Sequence, residues 1–349
     1  MLEIDGSQGE GGGQILRTSL ALSLVTGTPI RLFNIRAGRK KPGLQRQHLT
    51  AVLAAAQIGQ ADTGGAKLHS RDLTFTPGKV VPGEYEFDIG TAGSATLVLQ
   101  TVLPPLLLAE GPSIVRLKGG THNPMAPPFD FLTRSFLPLV NRMGPNVVAT
   151  LQRPGFYPVG GGQATVTIEP VSHLSPFNLL ERGPISMHRA RAVVAQLPRH
   201  IAERELSVVG RELQWDDKFL AIEEWKSSRG PGNVLLVELA GDDVTEVFAS
   251  FGARGVRAEA VAETIVREVR DYLEADVPIG PHLADQLILP LSLAGGGSFI
   301  TMRPTPHTLT NIDVVQRFLP VSIAVSQVGK QAWQVAVGRN SDCGLRIAD

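Results

Sequence analysis

Gly9-Glu10-Gly11-Gly12-Gly13-Gln14 sets a carboxylate inside a run of glycines, just ahead of an apolar stretch with helical spacing. Glycines let backbone N–H groups close on an anion, and a helix start adds partial positive charge. A carboxylate in such a loop makes sense if a divalent metal bridges it to phosphate; a solvated turn carboxylate is the other reading. No Lys-Ser/Thr follows, so the run is not a P-loop, and no strand–GxGxxG–helix with a downstream acid is present.

The charge pattern points the same way. After Glu10 the next acidic residue is Asp62, while Arg17, Arg31, Arg36, Arg39, Lys40, Lys41 and Arg46 lie between them. The segment Arg36 to His48 reads as a loop feeding a helix, so several cations can converge at one helix start. The arginine fork suits bidentate phosphate recognition. A solvated face balanced by distant acids would explain the same charges.

The eight histidines show no HxH, HxxxH or HExxH spacing, which argues against a histidine-rich zinc site. His307 lies just after a strand-like run and just before a helix that Thr310 or Asn311 could cap. A helix N-terminus disfavours imidazolium and welcomes an arriving phosphate, which suits a nucleophilic ring. A structural histidine in a loop fits these residues as well. No Gly-x-Ser-x-Gly elbow supports a serine hydrolase.

These residues need elements to hold them. Helix, glycine stop and β-branched strand follow one another at Ile15–Val25 with Pro29–Phe33, at Leu97–Leu108 with Ser113–Leu117, and at Leu283–Leu293 with Phe299–Met302. A second helix and further strands follow each: His48–Ile58 with Leu73–Phe75; Asp130–Met143 with Val147–Leu151 and Ala164–Ile168; Ile312–Phe318 with Ser322–Val328 and Trp333–Val337. The expected class is α/β (α+β), with three repeated βαβαββ-type units as the main body. Chance recurrence of the same grammar is the alternative. Acidic residues crowd into Glu181–Asp276, which carries its own strand runs and two amphipathic helices, His200–Leu213 and Ala258–Leu273. The expected division is 1–180 for the first two units, 181–276 for an inserted small α/β domain, and 277–349 for the third unit.

Composition narrows the field. The 349 residues carry 33 basic and 33 acidic side chains, so no whole-molecule field attracts a polyanion, and any nucleic-acid binding must be local. The single cysteine, Cys343, excludes an intramolecular disulfide framework and a thiolate-rich metal site. The N-terminus does not read as a signal peptide, and the most apolar run, Ala92–Ala109, is broken by Gln100, Pro104 and Pro105. The expectation is a cytoplasmic protein without a membrane span.

Gly9–Arg17, Ile35–Arg39 with Pro42-Gly43-Leu44 and Arg46–Leu49, Gly90–Ser94, Phe156-Tyr157-Pro158 with Gly160-Gly161-Gly162, and Leu283–Gln286 together resemble the RNA 3′-terminal phosphate cyclase family, from about Asp5 to Val337. The resemblance implies ATP-dependent conversion of an RNA 3′-phosphate to a 2′,3′-cyclic phosphate, releasing AMP and pyrophosphate. His307 matches the histidine that takes AMP from ATP. The RNA 3′-phosphate then accepts the AMP, and the vicinal 2′-OH displaces it. By the same resemblance Glu10 is the metal-binding glutamate, for Mg2+ or Mn2+. Arg17, Arg36, Arg39, Gln47 and His48 serve adenylylation or hold phosphates. Gln100 and His282, Leu283, Ala284, Asp285 and Gln286 bind the nucleotide, with Asp285 on the ribose and Pro128 walling the adenine slot.

Two positions depart from the family pattern: His282 stands where tyrosine commonly stacks on adenine, and Pro306 where a cysteine often precedes the nucleophile. The implied architecture is three units similar to the C-terminal domain of translation initiation factor three, with a thioredoxin-like domain inserted before the third. The implied partners are ATP and RNA with a 3′-phosphate end, and an exposed strand edge on the inserted domain would permit a homodimer. Two other readings remain: a catalytically silent relative serving ribosomal RNA maturation, and an enolpyruvyl transferase, which shares the repeated architecture without a covalent histidine.

Overall fold

The computed structural model describes residues 1–339; Cys343 lies outside them. In the first sheet β1 (Leu2–Asp5) runs parallel to β2 (Ile30–Phe33), joined through α1 (Gly13–Thr26). After α2 (Arg46–Ile58) come β3 (Asp62–Gly64) and β4 (Leu73–Thr76), giving the order β1-β2-β4-β3. Gly27 ends α1 at φ 68°, a left-handed stop that favours glycine.

The second sheet repeats this order. β5 (Glu84–Asp88) pairs parallel with β6 (Ser113–Gly119) around α3 (Ala95–Leu107), which Ser94 caps by accepting Leu97 N–H at 3.3 Å. A helical stretch follows in three pieces: α4 (Phe129–Phe131), a π-turn (Leu132–Phe136) and α5 (Leu137–Arg142). Then β7 (Asn146–Arg153) and β8 (Gly162–Glu169) complete the order β5-β6-β8-β7.

The third sheet starts with a two-residue strand, β9 (Asn178–Leu179), and is interrupted at once. The interruption contains β10 (Met187–Ala195), α6 (His200–Leu213), β11 (Leu220–Glu224), β12 (Gly232–Ala240), β13 (Thr245–Phe251) and α7 (Ala258–Ala275), whose strands form their own sheet, β11-β10-β12-β13. The chain then returns through α8 (Pro281–Ala294) to β14 (Gly297–Thr301), which pairs parallel with β9. α9 (Pro306–Phe318), β15 (Val321–Gln327) and β16 (Trp333–Arg339) finish the order β9-β14-β16-β15. Among the described residues no helix is long and apolar enough to cross a membrane.

Alternation along the inserted strands shows what fastens that sheet. Ala190, Ala192 and Val194 of β10, with Leu235 and Val237 of β12, pack under α6 and α7. Val193, Ala195, Val234 and Leu236 point the other way, into the main core. Both faces are covered, so the middle of β12, Val234 to Val237, is a continuous apolar run. At the edge of that contact Arg191 joins Asp130 and Glu238, while His122 holds the second Asp130 oxygen at 2.9 Å. Burial raises the proton affinity of Asp130, but His122 and Arg191 outweigh it and hold the carboxyl well below its usual range.

A second tie reaches α8. Glu246 of β13 accepts the Gly280 N–H at 2.5 Å, at the start of the helix, and Tyr272 donates to Pro278 O at 3.0 Å. Burial pushes the Glu246 carboxyl up to about 8, against the Gly280 hydrogen bond. The folded protein therefore favours neutral Glu246, a contribution present below about pH 4.5 and lost as the pH rises through about 8. Glu246→Gln keeps an acceptor for Gly280 without the charge. We expect its thermal midpoint, relative to the parent, to be roughly 2–4 °C higher in alkaline than in mildly acidic buffer; equal offsets in both buffers would refute it.

Candidate active site

The candidate site forms where the first turns of α1, α8 and α9 meet. α9 begins at Pro306, six residues earlier than the periodicity suggested, and Thr305 rather than Thr310 or Asn311 caps it by accepting Thr308 N–H at 3.2 Å. His307 thus sits inside the first helical turn, not in the loop before it. Its side chain is 53% exposed, yet its Nδ1 is held at 2.8 Å from Gln14 Oε1. The other end of that amide donates to Asp285 Oδ1. A carboxylate can only accept from the amide nitrogen, so the amide oxygen must face the ring and accept from Nδ1–H. Nε2 is left with its lone pair, on the open side.

Neighbours lock this relay. Asn311 donates to the Asp285 backbone oxygen at 3.0 Å and accepts from Thr18 at 2.8 Å, tying α9 to α8 and α1. Burial is the main cause that raises the Asp285 pKa, opposed by Gln14, His307, Arg17 and Gln286. Both Asp285 oxygens are engaged, Oδ2 by Gln286 at 3.2 Å. Gln286 in turn accepts from Gln100 of α3. Proline follows each of these glutamines by four residues, Pro104 and Pro290, and its missing N–H leaves the glutamine carbonyl without a helical donor. Beneath them lies a cavity of about 50 Å³ lined by Arg17, Thr18, Leu103, Pro104, Phe136 and Pro290 among others. That is about a third of the roughly 150 Å³ of an apolar cavity that accommodates benzene, so this void is too small for a base.

The glycine loop carries the other wall. Gly9 and Gly11 adopt φ 54° and 58°, and Glu10 N–H donates to Thr310 Oγ1 at 3.1 Å. The Glu10 side chain is 6% exposed, pairs with Arg39, and directs its second oxygen to within 4.0 Å of His307 Nδ1. Arg39 also donates to the Glu10 backbone oxygen at 2.7 Å. A Cβ at Gly13 would come within 2.6 Å of His48 Nε2 and 2.7 Å of Arg17 Nη1, so only glycine lets those two groups meet there. Burial pushes Arg17 down to about 10, with Asp285 and Glu10 opposing, so it stays cationic at neutral pH. His48 is pushed down to about 3 by burial and by Arg36 and Arg17, which makes it a neutral ring whose Nδ1 accepts Gln45 N–H at 3.2 Å.

Arg36 sits at φ 53°, a costly conformation for a side-chain-bearing residue, held by hydrogen bonds to Lys41 O at 2.6 Å and Gly43 O at 3.0 Å. Gln47 accepts Ser94 N–H at 3.0 Å and so ties α2 to the Gly90–Ser94 loop. Other sequence candidates lie elsewhere. Arg31 pairs with Asp72 at 2.8 Å and Glu3 at 3.1 Å on the exposed face of β2, outside the cation group. Leu283 and Ala284 are fully buried, so their side chains build core. Pro128 is buried at the start of α4. The His282 ring is largely open to solvent, although the protein atoms packed round it, and then His307, lower its pKa. Gln14, Asn311 and Thr310, which the sequence did not single out as site residues, prove to hold the others.

The chain matches the family described as RNA 3′-terminal phosphate cyclase over residues 8–325. It is 53% identical to the RNA 3′-terminal phosphate cyclase of Koribacter versatilis over 327 residues, covering 94% of this chain and 92% of that one. It is 51% identical to the protein of the same name from Ectopseudomonas mendocina (96% and 97% covered), and 48% to that from Salmonella agona (97% and 98%).

The relay predicts a fixed tautomer. In 15N NMR of the labelled protein, the His307 Nδ1 should carry the proton and Nε2 none. Gln14→Ala should mix the two tautomers, and an unchanged spectrum in that variant would discard the assignment.

Proposed function

The chain belongs to the RNA 3′-terminal phosphate cyclase family, and we propose that it uses ATP to convert an RNA 3′-phosphate into a 2′,3′-cyclic phosphate through a covalent His307–AMP. The observation that carries this reading is the His307 ring, with Nδ1 tied to Gln14 and Nε2 facing out. Nε2 attacks the α-phosphorus of ATP, a P–N bond forms, and pyrophosphate leaves. The RNA 3′-phosphate oxygen then takes the AMP, which returns the electron pair to Nε2. Finally the 2′-OH attacks the activated phosphorus, loses its proton, and AMP departs with the bridging oxygen.

Each neighbour has a physical task. Arg17, Arg36 and Arg39 set positive charge beside the developing phosphoryl charge. Neutral His48 adds a polar nitrogen at the Gly13 turn without a competing cation. Gln14 passes the negative field of Asp285 to the Nδ1 proton, which stabilises the positive charge that develops on the ring as the P–N bond forms. The cavity is too small for a base, so the nucleotide lies along the open mouth, near His282, Gln100 and Gln286. There the ribose competes with Gln286 for the outer Asp285 oxygen, and Pro128 serves as the far wall of the adenine slot.

No cluster of three or more His, Cys, Asp or Glu side chains suited to a metal occurs among the described residues. A lone buried carboxylate, with one oxygen held by Arg39 and the other free toward His307, fits a magnesium- or manganese-type ion that takes its remaining ligands from phosphates and water. When bound there through Glu10, such an ion would neutralise phosphate charge. On this reading the protein works in the cytoplasm, where ATP and RNA ends are both present.

Incubation with α-labelled ATP and a divalent metal should leave acid-labile, alkali-stable label on the denatured protein. His307→Ala should abolish it. Glu10→Gln should raise the metal concentration needed for half-maximal labelling by about tenfold or more. Absence of label on the parent protein would instead favour a silent assembly protein or a transferase, and metal-independent labelling would remove Glu10 from its role.

A further inference from the structure

The loop Pro154–Gly162 holds aromatic and apolar surface that the nucleotide chemistry does not use. Tyr157 is 68% exposed and Val159 48%, beside Met125 at 94% on the adjoining loop. Tyr157 stands on a rigid base. Phe156 is buried, bridges His122, and packs its ring 5.5 Å from His122 and 6.0 Å from Trp225, while Gly160 N–H closes the turn onto Phe156 O at 2.6 Å. An exposed ring whose backbone is already fixed loses little entropy when something stacks on it.

The surroundings are cationic. Arg229 lies across Gly161, its Cδ 2.7 Å from where a Cβ there would stand, and Val159 packs over Gly230. Arg229 and Lys226 are exposed, and neither has an ion-pair partner among the described residues. The nearby carboxylates are engaged: Asp88 accepts Gly90 N–H at 2.7 Å, Glu223 pairs with Arg191 at 3.1 Å, and Glu224 with Arg199 at 3.1 Å. This surface is continuous with the candidate site. A Cβ at Gly160 would come within 2.7 Å of Ala92 Cα, so the tyrosine loop rests on Gly90–Ser94, the segment that Gln47 holds.

We infer that Tyr157, with Arg229 and Lys226 of the loop between β11 and β12, forms a ledge for the single-stranded nucleotides just upstream of the RNA 3′ end. A base stacks on the phenol ring and phosphodiesters lie against the two cations. Stacking tolerates any base, which suits an enzyme that reads an end and not a sequence. Unpaired cations beside the aromatic favour a polyanion over a protein partner. The inference rests on the proposed function for the identity of the ligand.

The test measures equilibrium binding of 3′-phosphorylated single-stranded RNA without ATP, comparing a dinucleotide with a longer strand, alongside kcat and KM for cyclisation. Tyr157→Ala should weaken binding of the longer strand and raise its KM about tenfold, with the dinucleotide unaffected and Tyr157→Phe behaving as the parent. Replacing Arg229 and Lys226 by alanine should lower the slope of log affinity against log salt by roughly 0.7 per charge. Unchanged affinity of Tyr157→Ala for the longer strand, or an equal loss for the dinucleotide, overturns the ledge and leaves this face to a protein partner. Binding is read without ATP, so failure of the ledge is distinct from failure of the covalent chemistry. A parent that labels His307 but binds RNA independently of Tyr157 sinks only the ledge; one that never labels but needs Tyr157 for RNA sinks only the chemistry.

Discussion

One primary amide decides the chemistry of the site. Gln14 can satisfy a carboxylate only through its nitrogen, so Asp285 fixes which way the amide points, and the amide fixes which nitrogen of His307 carries the proton. The three residues come from α1, α8 and α9, and the first of these helices lies more than 250 positions from the other two. Packing of those helices is therefore a condition for a defined nucleophile. Asn311 and Thr18 close the same junction from behind. A displaced helix would leave a histidine with two interchangeable tautomers and no fixed lone pair.

The inserted sheet bears on this junction from the outside. Its inner face packs on the π-turn region and on the main core, and its charged edge is buried with Arg191, Asp130, Glu238 and His122. Buried ion pairs recover their desolvation cost only with good geometry, so such a network argues for one docking orientation more than for extra stability. Glu246 then reaches the first amide of α8, the helix that carries Asp285 and Gln286. The inserted sheet thus constrains the start of a site helix.

Local elements were legible in the sequence because their signals are local. The glycine stop after α1 and the amphipathic α6 stand where the residues put them, whereas α3 begins at Ala95, two residues ahead of its expected start, behind the Ser94 cap. The start of α9 was misplaced because Pro306 at a first helical position looks like a loop until Thr305 is seen capping behind it. The strand β9, two residues long, has no period to read; its parallel pairing with β14 defines it. Glu10, Arg39 and His307 do gather at one place, but Arg31 does not. An alternating strand sends Arg31 outward to Asp72 and Glu3, and charge counts along a chain are blind to that alternation. Gln14 and Asn311 were passed over because an amide has no chemistry of its own; its meaning comes from partners nearly three hundred positions away, His307 for Gln14 and Thr18 for Asn311.

The half-open ring of His307 suits the proposed chemistry. A nucleophile that receives AMP from ATP and passes it to an RNA end must be approached by two large anions in succession, from the same open side. Enclosure would exclude the second. The compromise visible here is to bury everything behind the ring: Gln14, the Glu10 side chain and His48 are nearly inaccessible, while the ring itself is 53% exposed. Rigidity comes from hydrogen bonds that water cannot compete for, and access is kept where the phosphorus arrives. The glycines at 9, 11 and 13 belong to the same compromise. They bring backbone and supporting side chains within contact of one another and add no bulk on the side that the substrates must use.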